Sequence, residues 1–198
     1  ELKANCVWTI LPVAGVITDH TWPARESPVV TDYRSPWMDD ELEMFRDAAR
    51  RFVENEIVPN DARWREQHHV DRELWNKAGE VGLLCTDIPD EYGGVGGDAR
   101  HEAVVCEEMG RRGITSFGHT VHSILAHYVL NYGSEAQKRD WLPRLASGEL
   151  VGAIAMTEPG AGSDLQAVKC RAMRDGDHYV LNGTKTFISN GLHAGLVG

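Results

Sequence analysis

Val151-Gly152-Ala153-Ile154-Ala155-Met156 is followed directly by Thr157-Glu158-Pro159-Gly160-Ala161-Gly162-Ser163-Asp164, and the change of texture between the two decides the fold. The first six residues are a short apolar run of the length a buried strand uses. The next eight form a turn rich in Gly, where small residues let a ligand approach the backbone closely and leave N–H donors free. Thr157 and Ser163 add hydroxyls to it. Glu158 reads as a structural carboxylate, paired or hydrogen-bonded within the turn, rather than as a catalytic acid.

Upstream of this stretch the periodicity is helical. Leu42, Phe45, Ala49, Phe52, Val53 and Ile57 recur at helical spacing, with Ser35 and Pro36 as the expected start and Pro59 as the expected stop. A second helix is expected over Asp71 to Val81, closed by Gly82, and further helices over Ala99 to Arg111 and Ser116 to Asn131, the latter ending at Gly133. Ser134 followed three residues later by Gln137 is a capping box that opens a helix running to about Ser147. Between the second and third helices, Thr86 to Asp98 holds Pro89, Gly93, Gly94, Gly96 and Gly97 and is read as a loop.

Downstream, Asp175-Gly176 and Asn182-Gly183 are hairpin signals of the type I′ kind, and Tyr179 and Leu181 alternate with polar residues between them. The chain is therefore expected to be α+β: an all-helical amino-terminal domain at 38–149, then the first strands of an antiparallel, β-barrel-like middle domain at 150–198. Residues 1–37 contain Pro12, Pro23, Pro28 and Pro36, show no sustained period, and are read as an unassigned irregular leader.

Composition narrows the function. With 42% hydrophobic and 25% charged residues over 198 positions, the chain is long enough to bury a core. A formal charge of -10, from 20 basic and 30 acidic residues, argues against general nucleic-acid binding, which rests on neutralising phosphates. The apolar stretch from Cys6 to Ile17 is interrupted by Thr9, Pro12 and Gly15 and is too short to span a bilayer. Cys6, Cys85, Cys106 and Cys170 lie far apart, which suggests reduced thiols rather than a zinc or redox motif. His119, His122 and His127 do not have the i, i+4 spacing of helical zinc motifs and are expected on a helix surface or along a substrate channel. His68-His69 lies in a polar connector. Glu107-Glu108 is read as a solvated helix face or a segment near an active site, Asp39-Asp40-Glu41 as a helix start, and Trp64, Trp75 and Trp141 as core or interface anchors.

The run from Gly152 to Gln166 resembles the first signature of the acyl-CoA dehydrogenase family at nearly every position. Leu181-Asn182-Gly183-Thr184-Lys185-Thr186-Phe187-Ile188-Ser189-Asn190-Gly191 resembles the next landmark, at the expected distance. Glu91-Tyr92-Gly93-Gly94, Glu107-Glu108 and Tyr132-Gly133-Ser134-Glu135-Ala136-Gln137-Lys138 extend the likeness through the helical half, and Phe187-Ile188-Ser189 with Met156-Thr157-Glu158 is most similar to the long-chain branch. Residues 1–36 fall outside the resemblance.

The resemblance implies FAD and the α,β-dehydrogenation of a fatty acyl-CoA to trans-2-enoyl-CoA, as in fatty-acid β-oxidation. A carboxylate removes the α-proton and the β-hydrogen leaves as hydride to flavin N5. It implies flavin contacts from Ile154, Ala155, Met156, Thr157, Gly162, Ser163, Phe187, Ile188 and Ser189, with Phe187 standing where many relatives have Trp, and an acyl-CoA contact from Ser163. No catalytic residue is expected in this chain, because in the family the base is a Glu of a carboxy-terminal helical bundle absent here. The chain alone is accordingly expected to be inactive and to hold FAD poorly. In the full-length protein the resemblance further implies reoxidation by an electron-transfer flavoprotein, a homotetramer or homodimer, no membrane span, and a bacterial cytoplasmic or, if eukaryotic, mitochondrial matrix location. An acyl-CoA oxidase-type relative and a non-catalytic binding or assembly module are the alternatives.

Overall fold

A computed structural model describes residues 34–198, so Cys6, the apolar stretch that follows it and most of the expected leader lie outside the described residues. The first helix, α1 (Asp40–Phe52), begins where Asp39 accepts a hydrogen bond from the Leu42 N–H at 2.9 Å, four residues later than the expected Ser35–Pro36 start. Asp40, Glu41 and Glu43 occupy its first turn, the positive end of the helix dipole.

Pro59 does not end this helical run. Val53–Ile57 forms a π turn, with the Val58 N–H bonded to the Val53 carbonyl, and α2 (Val58–Gln67) follows at once with Pro59 in its first turn. An interior proline costs a helix one hydrogen bond and clashes with the carbonyl four residues back. A widened turn followed by a first-turn position removes both costs, so the chain bends there and continues.

Helix α3 (Arg72–Glu80) ends at Gly82 with φ +70°, as expected. Helix α4 (Ala99–Arg111) opens on a reciprocal box between Asp98 and His101 and packs along α1. On that seam Glu108, 3% exposed, is held by Arg50 at 3.0 Å and lies 3.5 Å from Arg111 and 3.6 Å from Arg46, while Arg46 reaches Glu107 at 2.6 Å. Glu108 is thus an interhelical charge anchor rather than a residue of a solvated face. Helix α5 (His119–Tyr132) and α6 (Glu135–Ala146) form an antiparallel pair joined at Gly133. The expected capping box is present: the Ser134 N–H donates to Gln137 Oε1 at 2.8 Å, and the Gln137 N–H to Ser134 Oγ at 3.3 Å.

The first core cluster joins α1 to α4 around Leu42, Ile57, Trp64, Trp75 and Val104. The second joins α5 and α6 through Ala126, Val129, Leu142 and Leu145 to Cys85 and to Ile88 and Tyr92 of the loop between α3 and α4. Trp64 and Trp75 are buried anchors, whereas Trp141 packs at the margin of the second cluster. Gly148, at φ +75°, lets the chain leave α6 against the backbone of α3, since a Cβ there would lie 2.1 Å from the Trp75 carbonyl oxygen.

The chain is α+β, a helical part followed by a few strands that, among the described residues, do not close into a barrel. The strand β1 (Gly152–Ala153) pairs with β4 (Leu196–Val197), in parallel rather than in the antiparallel sense expected. The hairpin of β2 (Arg171–Asp175) and β3 (His178–Asn182) forms where Asp175-Gly176 marked it, but in different register. Asp175 pairs with His178, so Gly176 and Asp177 are the central residues, and of the two only Gly176 has positive φ, +63°. That matches the II′ requirement rather than I′. Asn182-Gly183 makes no hairpin among the described residues; β3 ends there and the chain returns to the Gly-rich segment instead.

Candidate functional site

Two segments, 154–158 and 185–189, lie side by side over the exposed flank of α5. The Thr186 N–H donates to the Thr157 carbonyl at 3.0 Å, and Lys185 Nζ reaches the Met156 carbonyl at 3.1 Å and Glu158 Oε1 at 2.9 Å. Glu158 is buried and also accepts the backbone N–H groups of Lys169 (2.7 Å) and Cys170 (2.9 Å), closing the Gly-rich turn on itself. These hydrogen bonds, the Lys169 N–H foremost and Lys185 next, hold its carboxyl down at about 2. Its expected structural role is what the geometry shows.

The corner after Ser189 is fastened by Asn190. Its Nδ2 donates to the Gly118 carbonyl at 2.8 Å and to the Gly152 carbonyl at 3.0 Å, tying the 187–190 corner to the start of α5 and to β1. Phe187 and Asn190 both adopt left-handed backbone, at φ +56° and +64°. Such conformations cost energy in residues with a Cβ and tend to mark functional sites. Phe187 is 80% exposed, so its ring projects from the corner with no partner on its outer side.

Together these elements enclose a groove of about 210 Å³ lined by Ile154, Met156, Thr157, Phe187, Ile188 and Ser189 on one side and by Val121, Ile124 and Tyr128 of α5 on the other. Six of the nine residues expected at the flavin therefore lie together. Ala155 sits behind them, its N–H bonded to the Gly198 carbonyl at 2.8 Å. Gly162 and Ser163 lie on the exposed turn beside the groove and do not line it. The N–H groups of Met156 and Thr157 have no acceptor among the described residues.

Val121, Ile124 and Tyr128 were not anticipated as site residues. The signal for them exists: α5 is apolar on both sides, with Leu125, Ala126 and Val129 buried in the core and Ile124 and Tyr128 more than two-fifths exposed. A helix with one partner layer and two apolar faces leaves the second face to be explained.

His119 and His122 are buried, not on a helix surface or in an open channel. His122 Nδ1 accepts the Gly152 N–H and Nε2–H donates to the Leu145 carbonyl, each at 3.0 Å, and the ring lies 5.1 Å from that of Trp75. Burial is the largest influence on it and pushes its pKa down to about 4, outweighing the bond to Leu145. A neutral ring with one donor and one acceptor is what bridges α5, α6 and β1. His127, half-buried, pairs with Asp87 at 3.0 Å.

A family model described as "Acyl-CoA dehydrogenase, N-terminal domain" matches residues 39–149, and one described as "Acyl-CoA dehydrogenase, middle domain" matches residues 153–198. The chain is 47% identical over 152 residues to the mitochondrial long-chain specific acyl-CoA dehydrogenase of Sus scrofa, a stretch covering 76% of this chain and 35% of that protein. Among solved structures, an acyl-CoA dehydrogenase from Geobacillus kaustophilus superposes with a TM-score of 0.79 at 42% identity, covering 83% of this chain and 43% of the other. The Bacillus anthracis acyl-CoA dehydrogenase complexed with FAD superposes with a TM-score of 0.75 at 37% identity, covering 83% and 29%. The chain thus spans about a third of the length of its pig relative.

Proposed function

Because the chain belongs to the acyl-CoA dehydrogenase family, we propose that it is the amino-terminal part of an FAD-dependent enzyme that converts long-chain fatty acyl-CoA thioesters to trans-2-enoyl-CoA. The reading divides the chain into a helical domain at 38–149 and the start of the middle domain at 150–198, with 1–37 unassigned. The observation that carries it is the groove, where two segments distant in sequence bring apolar walls, two hydroxyls and unpartnered backbone donors to one place.

Those residues fit a flat ring with polar edges. Ile154, Ile188, Ile124 and Tyr128 offer apolar surface, and the exposed Phe187 ring offers a face to stack on. Thr157 and Ser189 hydroxyls and the N–H groups of Met156 and Thr157 would donate to its heteroatoms. Ala155 would support the segment from behind, Gly162 would allow the dinucleotide to approach, and Ser163 would contact both cofactor and the thioester substrate. Bound FAD would supply the two-electron acceptor that none of the twenty side chains provides.

Among the described residues no carboxylate lines the groove. The reading therefore draws the α-proton acceptor from elsewhere in the whole protein, and assigns to this chain the tasks of binding, orienting and excluding water. Electron transfer to a partner flavoprotein, assembly as a dimer or tetramer, and a cytoplasmic or matrix location belong to the same reading. No helix among the described residues is long and apolar enough to cross a membrane.

The test is turnover by the whole protein that contains this chain. Purified protein is expected to carry FAD and to form enoyl-CoA from a saturated long-chain acyl-CoA when an artificial electron acceptor is supplied. Protein purified without flavin, or flavin-loaded protein that forms no enoyl product from acyl-CoA of any length, would refute the proposal. Rapid peroxide formation in air without the acceptor would place it instead with the oxidases.

A further inference from the structure

Apart from the groove, one cluster of side chains among the described residues brings three different metal-ligating groups together. Glu102 and Cys106 stand one turn apart on α4 and so share a face, and His119 is the first residue of α5. Their ligand atoms all lie within 4.8 Å of one another. We infer that Glu102 Oε1, Cys106 Sγ and His119 Nε2 form a binding site for a divalent transition metal of the zinc class.

The spacing matches a tetrahedral ion. Bonds of about 2.3 Å to sulfur and about 2.0 Å to nitrogen and oxygen place tetrahedral neighbours about 3.5 Å apart for the sulfur–nitrogen edge and about 3.3 Å for nitrogen–oxygen. The distances here are 3.7 Å from Cys106 Sγ to His119 Nε2 and 3.2 Å from His119 Nε2 to Glu102 Oε1. These two edges meet at His119 Nε2 and lie within a few tenths of an ångström of the tetrahedral values, and the third, from Cys106 Sγ to Glu102 Oε1, is within 4.8 Å.

The two oxygens of Glu102 stand in different surroundings. Glu102 Oε2 is held by two hydroxyls, Ser123 Oγ at 3.3 Å and Thr86 Oγ1 at 3.4 Å, which orient the carboxylate in the way outer partners orient metal ligands. Its other oxygen, Oε1, is buried without a hydrogen-bond partner although it lies 3.2 Å from His119 Nε2. That nitrogen is faced by Oε1, by Cys106 Sγ and by Thr120 Oγ1 at 3.4 Å. A ring nitrogen carries at most one hydrogen, whereas a cation would engage the carboxylate oxygen, the thiolate and the ring nitrogen together. A thiolate and a carboxylate balance a divalent charge, and the mixed sulfur, nitrogen and oxygen set selects zinc-like ions over calcium or magnesium, which prefer all-oxygen sets. Cys106 is exposed, so an ion and a fourth ligand from solvent reach the site directly.

Cobalt(II) is the probe, because a thiolate ligand gives it an intense near-ultraviolet charge-transfer band. Addition of Co²⁺ to the reduced chain is expected to produce that band at one equivalent, and Zn²⁺ to abolish it. C106S is expected to lose the band, E102Q and H119Q to keep it with at least tenfold weaker binding, and C170S to leave band and affinity unchanged. Helical circular dichroism establishes that each variant is folded, and Ser at the exposed Cys106 position removes little packing. Absence of the band in the parent chain, its persistence in C106S, or unchanged affinity in both E102Q and H119Q would overturn the assignment.

Discussion

Acidification tests the buried His122 directly. In the folded chain the ring is neutral, accepting from Gly152 and donating to Leu145, with its pKa pushed down to about 4 by burial; the unfolded reference is 6.5. The unfolded chain therefore takes up the proton first as pH falls. A group whose folded pKa lies below its unfolded value contributes its full stability above the unfolded pKa and loses it between the two, here from about pH 6.5 down to about pH 4. The full difference is about 3 kcal/mol at about 1.4 kcal/mol per pKa unit, and about 2 kcal/mol of it falls between pH 7 and pH 5. Other groups titrate in the same window, so the measurement is a comparison. Urea unfolding of the chain and of H122Q, at pH 7 and pH 5, should show the parent losing about 2 kcal/mol more than the variant over that interval. H122Q should already be weaker at pH 7, because Gln meets the two backbone partners less well. Parallel losses in both proteins, within about 0.5 kcal/mol, would show that His122 is not held neutral by its burial.

Three other substitutions probe the scaffold and the groove. Glu108→Gln removes the charge that Arg46, Arg50 and Arg111 share on the α1–α4 seam and leaves the buried Arg46 short of its compensation; denaturant midpoints should report a loss of about 3 kcal/mol. Glu158→Gln weakens the acceptor for the Lys169 and Cys170 N–H groups and for Lys185, so exchange of those two amides should accelerate while the amides of α6 keep their protection. In the parent the Glu158 contribution to stability is complete above the unfolded value of 4.5 and is lost progressively as pH falls from there through about 2. Asn190→Ala releases the corner from Gly118 and Gly152, and the whole protein should retain FAD about tenfold more weakly on gel filtration, a loss of about 1.4 kcal/mol.

Local chemistry made much of the molecule legible. The capping box at Ser134 and Gln137, the stop at Gly82 and the loop between Thr86 and Asp98 depend on neighbours within a few residues, and each stands where the sequence placed it. Pro59 misled because its cost depends on the geometry of the preceding turn, and a π turn there removes it. Asn182-Gly183 carries the residues of a hairpin turn, but a hairpin also needs a partner strand, and the chain after Gly183 pairs with Thr157 instead.

The sequence by itself determined the α+β order, the helix limits set by caps and glycines, and the identity of the two segments that form one wall of the groove. Tertiary structure alone decided what those segments face. Val121, Ile124 and Tyr128 become the opposite wall only because the other apolar face of α5 is spent against α6. In the same way, His122 is neutral because the packing of α5, α6 and β1 buries it, and the meeting of Glu102, Cys106 and His119 comes from the α4–α5 approach. Burial and proximity between residues far apart in the chain are properties of packing, and no local pattern of residues encodes them.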